Sequence, residues 1–269
     1  MIQVIINKKV SRINPVEKEL QRLEKQEQAF LNKHSDKSNS KINQLIEDKV
    51  PDKLQETLEK SFAKAFNLIF EKGTGIIEKT YKKEQIIEDY DINMYAAKRK
   101  NTKKEWRVFS KNAAGSSNRN LIVSGASGIG LGFLGIGIPD IVLFIGLQLK
   151  SIYEIALHNG YKYEDEQEKR FILLLFCGAL SYGEQQKAID DEINYFIEHN
   201  EFAEQREMKS CIEEASLCLS KELLYMKFLQ GIPIVGAVGG AFDVIYMNRI
   251  NKYAELKYRR RFLSSNMQK

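Results

Sequence analysis

Over residues 41–70 the apolar positions Ile42, Leu45, Ile46, Leu54, Leu58, Phe62, Phe66 and Ile69 step by three and four. That period gathers them on one helix face, so the stretch predicts an amphipathic helix pair broken near Pro51, with Asp52 early in the second helix. Gly73 and Gly75 are expected to end that helix, and another runs through Tyr81, Ile86 and Tyr90. Upstream, Pro15 suits a first helical turn, and Val16, Leu20, Leu23 and Phe30 or Leu31 follow at near-heptad spacing. The rest of that run is charged, which predicts a solvated helix borrowing a partner's face. Residues 1–14 read as a short strand or extended arm and 34–41 as a polar linker. The chain therefore divides into an appendage over 1–40 and a helical domain over 41–269.

At residue 121 the pattern changes. LIVSGASGIGLGFLGIGIPDIVLFIGLQL carries one charge, Asp140, and seven glycines. Glycine inside a helix costs roughly 1 kcal/mol relative to alanine, so it needs an offset, such as close approach of a second backbone or of a phosphate. A second glycine-rich apolar run, LQGIPIVGAVGGAFDVIYMNRINKYAELKYRRRF, closes the chain and carries Asp243. Gly125, Gly128, Gly132 and Gly135 in the first, and Gly236 and Gly240 in the second, lie three or four apart, placing small residues on one helix face. The two elements are expected to pack on each other with Asp140 and Asp243 near one level. A carboxylate in an apolar helix needs a partner, so these two either share a polar site or each cap a helix N-terminus, which Pro139-Asp140 suits better.

Between the two runs, Asn159-Gly160 predicts a helix stop and Glu164, Asp165 and Glu166 the next N-terminus. FILLLFCGAL then reads as a buried helix too short to span a bilayer, with acidic helices over 182–227.

Charge alters the picture more by distribution than by sum. The net charge is +5, but residues 1–120 carry 25 Lys/Arg against 17 Asp/Glu, residues 150–230 carry 9 against 16, and residues 231–269 carry 7 against 2. Lys98, Arg99, Lys100, Lys103, Lys104, Arg107 and Lys111 surround Trp106 and Phe109 directly before the first glycine run, while Lys257, Arg259, Arg260 and Arg261 follow the second. Basic flanks beside apolar runs suit an anionic membrane surface, which attracts each Lys or Arg by about 1 kcal/mol. Basic residues around an aromatic pair also form an interfacial anchor pattern, against which stands a solvated helix with Trp106 in the core. No aromatic–basic motif supports nucleic acid.

Catalytic chemistry finds little to build on. Gly128-Ile129-Gly130 lacks the third glycine of a dinucleotide turn, because position 133 is Phe133, and no Gly-Lys-Ser/Thr is present. His34, His158 and His199 are far apart, so no metal set is expected, and His158 reads as a helix C-terminal residue. Asp190, Asp191 and Glu192 read as a solvated face. Cys177, Cys211 and Cys218, an odd number without CxxC, read as buried small hydrophobes in a reducing compartment. The N-terminal residues do not look like a signal peptide, which points to the cytoplasm.

Two blocks resemble the EcsC protein family: GIGIPDIVLFIGLQLKSIYEIALHNGY, and the tail with Lys227, Pro233, Val235-Gly236-Ala237 and Gly240. The likeness covers roughly residues 55–265, and Asp243 stands where the pattern leads one to expect a neutral polar residue such as Asn. The resemblance implies a bacterial, mostly helical protein without an accepted catalytic residue, whose family namesake is encoded beside an ABC transporter linked to secretion. The expected fold is all-α, a multi-helix bundle with the two glycine-rich elements at its centre. The expected function is that of an accessory or regulatory protein on the inner face of the cell membrane, partnered by its anionic surface or by a membrane protein such as a transporter. No cofactor or metal is expected. The rivals are a soluble helical interaction module and a lipid- or nucleotide-binding enzyme using Asp140 and Asp243.

Overall fold

The computed structural model describes residues 14–34, 52–120, 139–229 and 244–267. The fold is all-α. In chain order the helices are α1 (Pro15–Lys33), α2 (Asp52–Leu68), a π turn (Ile69–Gly73), α3 (Thr74–Glu78), α4 (Lys83–Lys100), α5 (Lys103–Asn120), α6 (Pro139–His158), α7 (Glu166–Leu180), α8 (Gly183–His199), α9 (Met208–Leu229) and α10 (Val244–Met267).

Local chemistry sets several ends. Asn14 accepts from the Val16 amide at 3.0 Å, with Pro15 at the first helical position. The Asp165 carboxylate caps α7 by accepting from the Glu168 amide at 2.7 Å. Asn101 and Asn200 take left-handed conformations after α4 and α8, and Gly160, at φ +81°, turns the chain beyond α6.

Gly73 and Gly75 do not end their helix. The chain widens into the π turn, where the Thr74 amide bonds to the Ile69 carbonyl five residues back, and runs on to Glu78. The wider turn keeps both Ile69 and Ile77 fully buried, an apolar gain that offsets a poorer hydrogen-bond geometry.

The bundle is built around α6, α7 and α10. Helix α6 packs against α2, α4, α5 and α10, while α7 packs against α8, α9 and α10. Every residue of α7 from 171 to 180 is buried. Where α6 crosses α10, Gln148 donates to Asn251 at 2.5 Å, both side chains shut away from solvent. The helices that follow the two glycine-rich runs are thus neighbours. Residues 121–138 and 230–243, with Gly125, Gly128, Gly132, Gly135, Gly236, Gly240 and Asp243, lie outside the described residues. So does the side chain of Asp140, whose backbone is in the first turn of α6.

Among the described residues one segment, 141–158 in α6, is long and apolar enough to cross a membrane, but 83% of it is buried among other helices. Helix α1, charged as its sequence is, lies along α10 and α5 and buries Val16, Leu23 and Phe30 there. The face it borrows belongs to this chain.

Candidate functional site

The C-terminal basic cluster is not a surface. Lys257, Arg259 and Arg261 are buried and Arg260 is half-buried, each held by carboxylates from other helices. Lys257 Nζ lies 2.7 Å from Asp190 on α8 and 3.3 Å from Glu27 on α1. Arg259 meets Glu19 at 3.4 Å, Arg260 meets Glu27 at 2.5 Å, and Arg261 meets Glu168 on α7 at 2.6 Å. Tyr253 and Tyr258 donate to Asp190 and Glu168, both at 2.6 Å. These cations clamp α10 to α1, α7 and α8, so one of the two expected basic flanks is taken up inside the fold. The expectation of a solvated acidic face fails at Asp190 for the same reason. Asp191 remains exposed, and Glu192 is tied to Arg206.

The other flank is open to solvent. Lys98, Arg99 and Lys100 end α4, where cations also favour the negative end of the helix dipole. After the Asn101 turn, Lys103, Lys104, Arg107 and Lys111 are exposed along α5. Of these seven, Lys100 alone has an ion-pair partner among the described residues, Glu105 at 3.1 Å.

Of the two readings of the aromatic pair, the one with Trp106 in the core holds, and the pair points inward. Trp106 and Phe109 are each only 3% exposed. Phe109 stacks on Phe262 with centroids 4.3 Å apart, and the Trp106 indole N–H donates to Asn101 at 3.0 Å. The apolar groups beside the cations are instead Ile92 and Tyr95, which are 67% and 65% exposed. Positions 92, 95 and 99 recur at i, i+3 and i+7, putting Ile92, Tyr95 and Arg99 on one outward stripe of α4. The signal was present as spacing, but Ile92 and Tyr95 give it no contrast with an inward stripe.

Other polar clusters tie elements together. Tyr163, stacked on Tyr153 at 4.0 Å, donates to Glu78 at 2.7 Å and pairs with the Tyr81 hydroxyl. Lys83 bridges Glu78 and Glu164 at 2.7 and 2.6 Å. Burial opposes ionisation of Glu78, but the hydrogen bonds from Lys83 and Tyr163 outweigh it and hold its carboxyl below the usual value. On the far side, Arg249 stacks over Tyr182 at 4.4 Å and reaches Glu222 at 3.4 Å. All three cysteines are free. Cys177 meets Cys218 between α7 and α9, a contact that, with burial, pushes the Cys177 thiol up. Among the described residues no group of three His, Cys, Asp or Glu side chains converges to hold a metal ion. The exposed flank at the α4–α5 corner thus carries seven exposed cations, six of them without an ion-pair partner among the described residues.

The model of the EcsC protein family matches residues 15–263, a span that includes α1 as well as the segments that carried the resemblance. No curated protein matches the chain. No solved structure matches it.

Proposed function

The chain belongs to the EcsC protein family, and from that premise we propose that it is an accessory or regulatory protein acting at an anionic membrane surface. Contact is made by the α4–α5 corner, beside a membrane protein such as a transporter. One observation carries the reading: seven exposed cations lie together, six of them without an ion-pair partner among the described residues, next to the outward Ile92 and Tyr95. Each such cation is attracted to an anionic surface by about 1 kcal/mol, and an apolar pair that enters the interface adds to it. The burial of Trp106 and of the apolar stretch in α6 supports contact from the surface rather than insertion by these groups.

The test is flotation with phosphatidylcholine vesicles that contain or lack phosphatidylglycerol. The protein is expected to float only with the anionic vesicles, to be released by high salt, and to lose binding in Lys98→Gln/Arg99→Gln/Lys103→Gln. Failure to float with anionic vesicles at low salt would end the proposal.

A further inference from the structure

A groove with about 490 Å³ of room lies between α1, α5 and α10. Six cations line it: Arg22 from α1, Lys104, Arg107 and Lys111 from α5, and Lys252 and Arg259 from α10. The cations approach from three helices, and among the described residues no carboxylate lines the groove. Glu19 and Glu255 border it, paired with Arg22 and Arg259 and with Lys252, and leave the cations in excess.

Two buried donors remain unspent at this place. The Ser110 hydroxyl, in a residue 2% exposed, has no hydrogen-bond partner, and neither has Nε of Arg259, in a residue 5% exposed. Both residues line the groove. A buried donor without an acceptor is costly, and an acceptor entering the groove would satisfy both, whereas Glu19 Oε2 and Glu255 Oε1 at its border are themselves buried without a donor. Burial holds Arg259 below the usual guanidinium value, with Glu19 pulling the other way, and an incoming anion would act in the same direction as Glu19.

We propose that this groove is a binding site for a doubly charged phosphate group, a phosphomonoester or pyrophosphate, seated between the α5 cations, Ser110 and Arg259. Guanidinium forks and a hydroxyl donor match the several acceptor oxygens of such a group better than the single charge of a phosphodiester. The room is that of a small-molecule pocket. Among the described residues no aromatic side chain lines the groove to offer a nucleic-acid base a stacking platform. The inference shares Lys104, Arg107 and Lys111 with the membrane contact proposed above, and rests on that reading only where the phosphate is a lipid headgroup.

The experiment is calorimetric titration of the full chain with inorganic pyrophosphate at fixed ionic strength. Saturable binding at one site is expected, at least about tenfold weaker in Arg107→Gln/Lys111→Gln, whose parent side chains are exposed and carry no fold. Ser110→Ala is expected to weaken binding as well. Lys98→Gln/Arg99→Gln, which removes the same charge outside the groove, is expected to leave it within about twofold. No saturable binding, or equal loss in the two charge variants, overturns the site. Vesicles doped with phosphatidic acid or with phosphatidylglycerol distinguish the source. Preference for phosphatidic acid, competed away by pyrophosphate, assigns a headgroup. Pyrophosphate binding without vesicle binding assigns a soluble phosphate, and defeats the membrane reading while this one stands.

Discussion

Lys257 and Asp190 form an ion pair at 2.7 Å, with Lys257 on α10 and Asp190 on α8 and neither side chain more than 7% exposed. Lys257 also donates to Asn194 at 3.0 Å, and Tyr253 donates to the same carboxylate at 2.6 Å. Asn194 donates to its second oxygen at 2.9 Å, so the carboxylate is held by three side chains, of which Lys257 alone carries a charge. Removing Lys257 leaves Asp190 buried with too little compensation, so Lys257→Ala is expected to cost about 3–5 kcal/mol. Lys257→Met combined with Asp190→Asn removes both charges and should recover much of that loss. Urea unfolding of the two variants checks it: a double variant as unstable as the single would show that packing, not charge balance, dominates here.

Trp106 is the chain's one tryptophan, and it sits in the core although seven cations crowd its neighbourhood in sequence. Its emission is expected to be blue-shifted in the free protein and unchanged when anionic vesicles are added. Tyr95→Ser/Ile92→Ser is expected to weaken vesicle binding without altering stability by more than about 0.5 kcal/mol, as suits exposed positions. Trp106→Ala should instead cost about 3–5 kcal/mol in unfolding. A vesicle-induced shift in Trp106 emission would count against contact through the outward stripe of α4.

Why the two basic flanks were indistinguishable in sequence follows from α10. Its cations at 257, 259, 260 and 261 meet carboxylates contributed by α1, α7 and α8, partners 67 to 240 residues distant, from Lys257–Asp190 to Arg259–Glu19. A charge run reports neither burial nor pairing when its partners are that remote. Helices α2 and α7 were legible because one has an apolar stripe of period 3.6 and the other is apolar throughout, and both patterns are local. The turn at Gly160 and the cap at Asp165 were legible for the same reason. The π turn was not, because glycines at 73 and 75 signal a stop, while the gain that overrides it is burial of Ile69 and Ile77 against the rest of the bundle. The groove lined by Arg22, Lys104 and Lys252 was likewise out of reach, since it exists only where three separate helices meet.

His158, in the last turn of α6, makes stability depend on pH. Burial lowers its pKa below the ordinary 6.5, with Asp89 pulling weakly upward. Burial, then the charge of Arg249, also lowers His34. A histidine that protonates less readily when folded leaves the unfolded chain holding more protons as pH falls, so stability present above 6.5 is lost as pH drops through 6.5 toward the folded value. Buried Glu154, Glu168 and Glu255, whose pKa values burial raises, act in the opposite sense, gaining stability as pH falls through their folded values. His158→Gln is expected to flatten the decline just below 6.5, measured as the urea midpoint at pH 7 and at about pH 5.5. An unchanged slope would place the dependence elsewhere.

Gly178 offers the sharpest contest between two opposed effects. It lies inside α7, where alanine would ordinarily stabilise the helix by about 1 kcal/mol. A methyl group there would meet Tyr253 Cε1 at 2.6 Å and its hydroxyl at 2.8 Å. That ring is 1% exposed and cannot swing away, because its hydroxyl is committed to Asp190. Overpacking of a fixed core group costs typically 1–3 kcal/mol, so the clash is expected to win and Gly178→Ala to destabilise by about 1–2 kcal/mol net. The loss should fall on the α7–α10 seam. Amide exchange in α10 is expected to speed up more than in α2, which packs chiefly on α9. A stabilised Gly178→Ala would mean that Tyr253 yields, and that the approach of α10 to α7 is set by something other than this glycine.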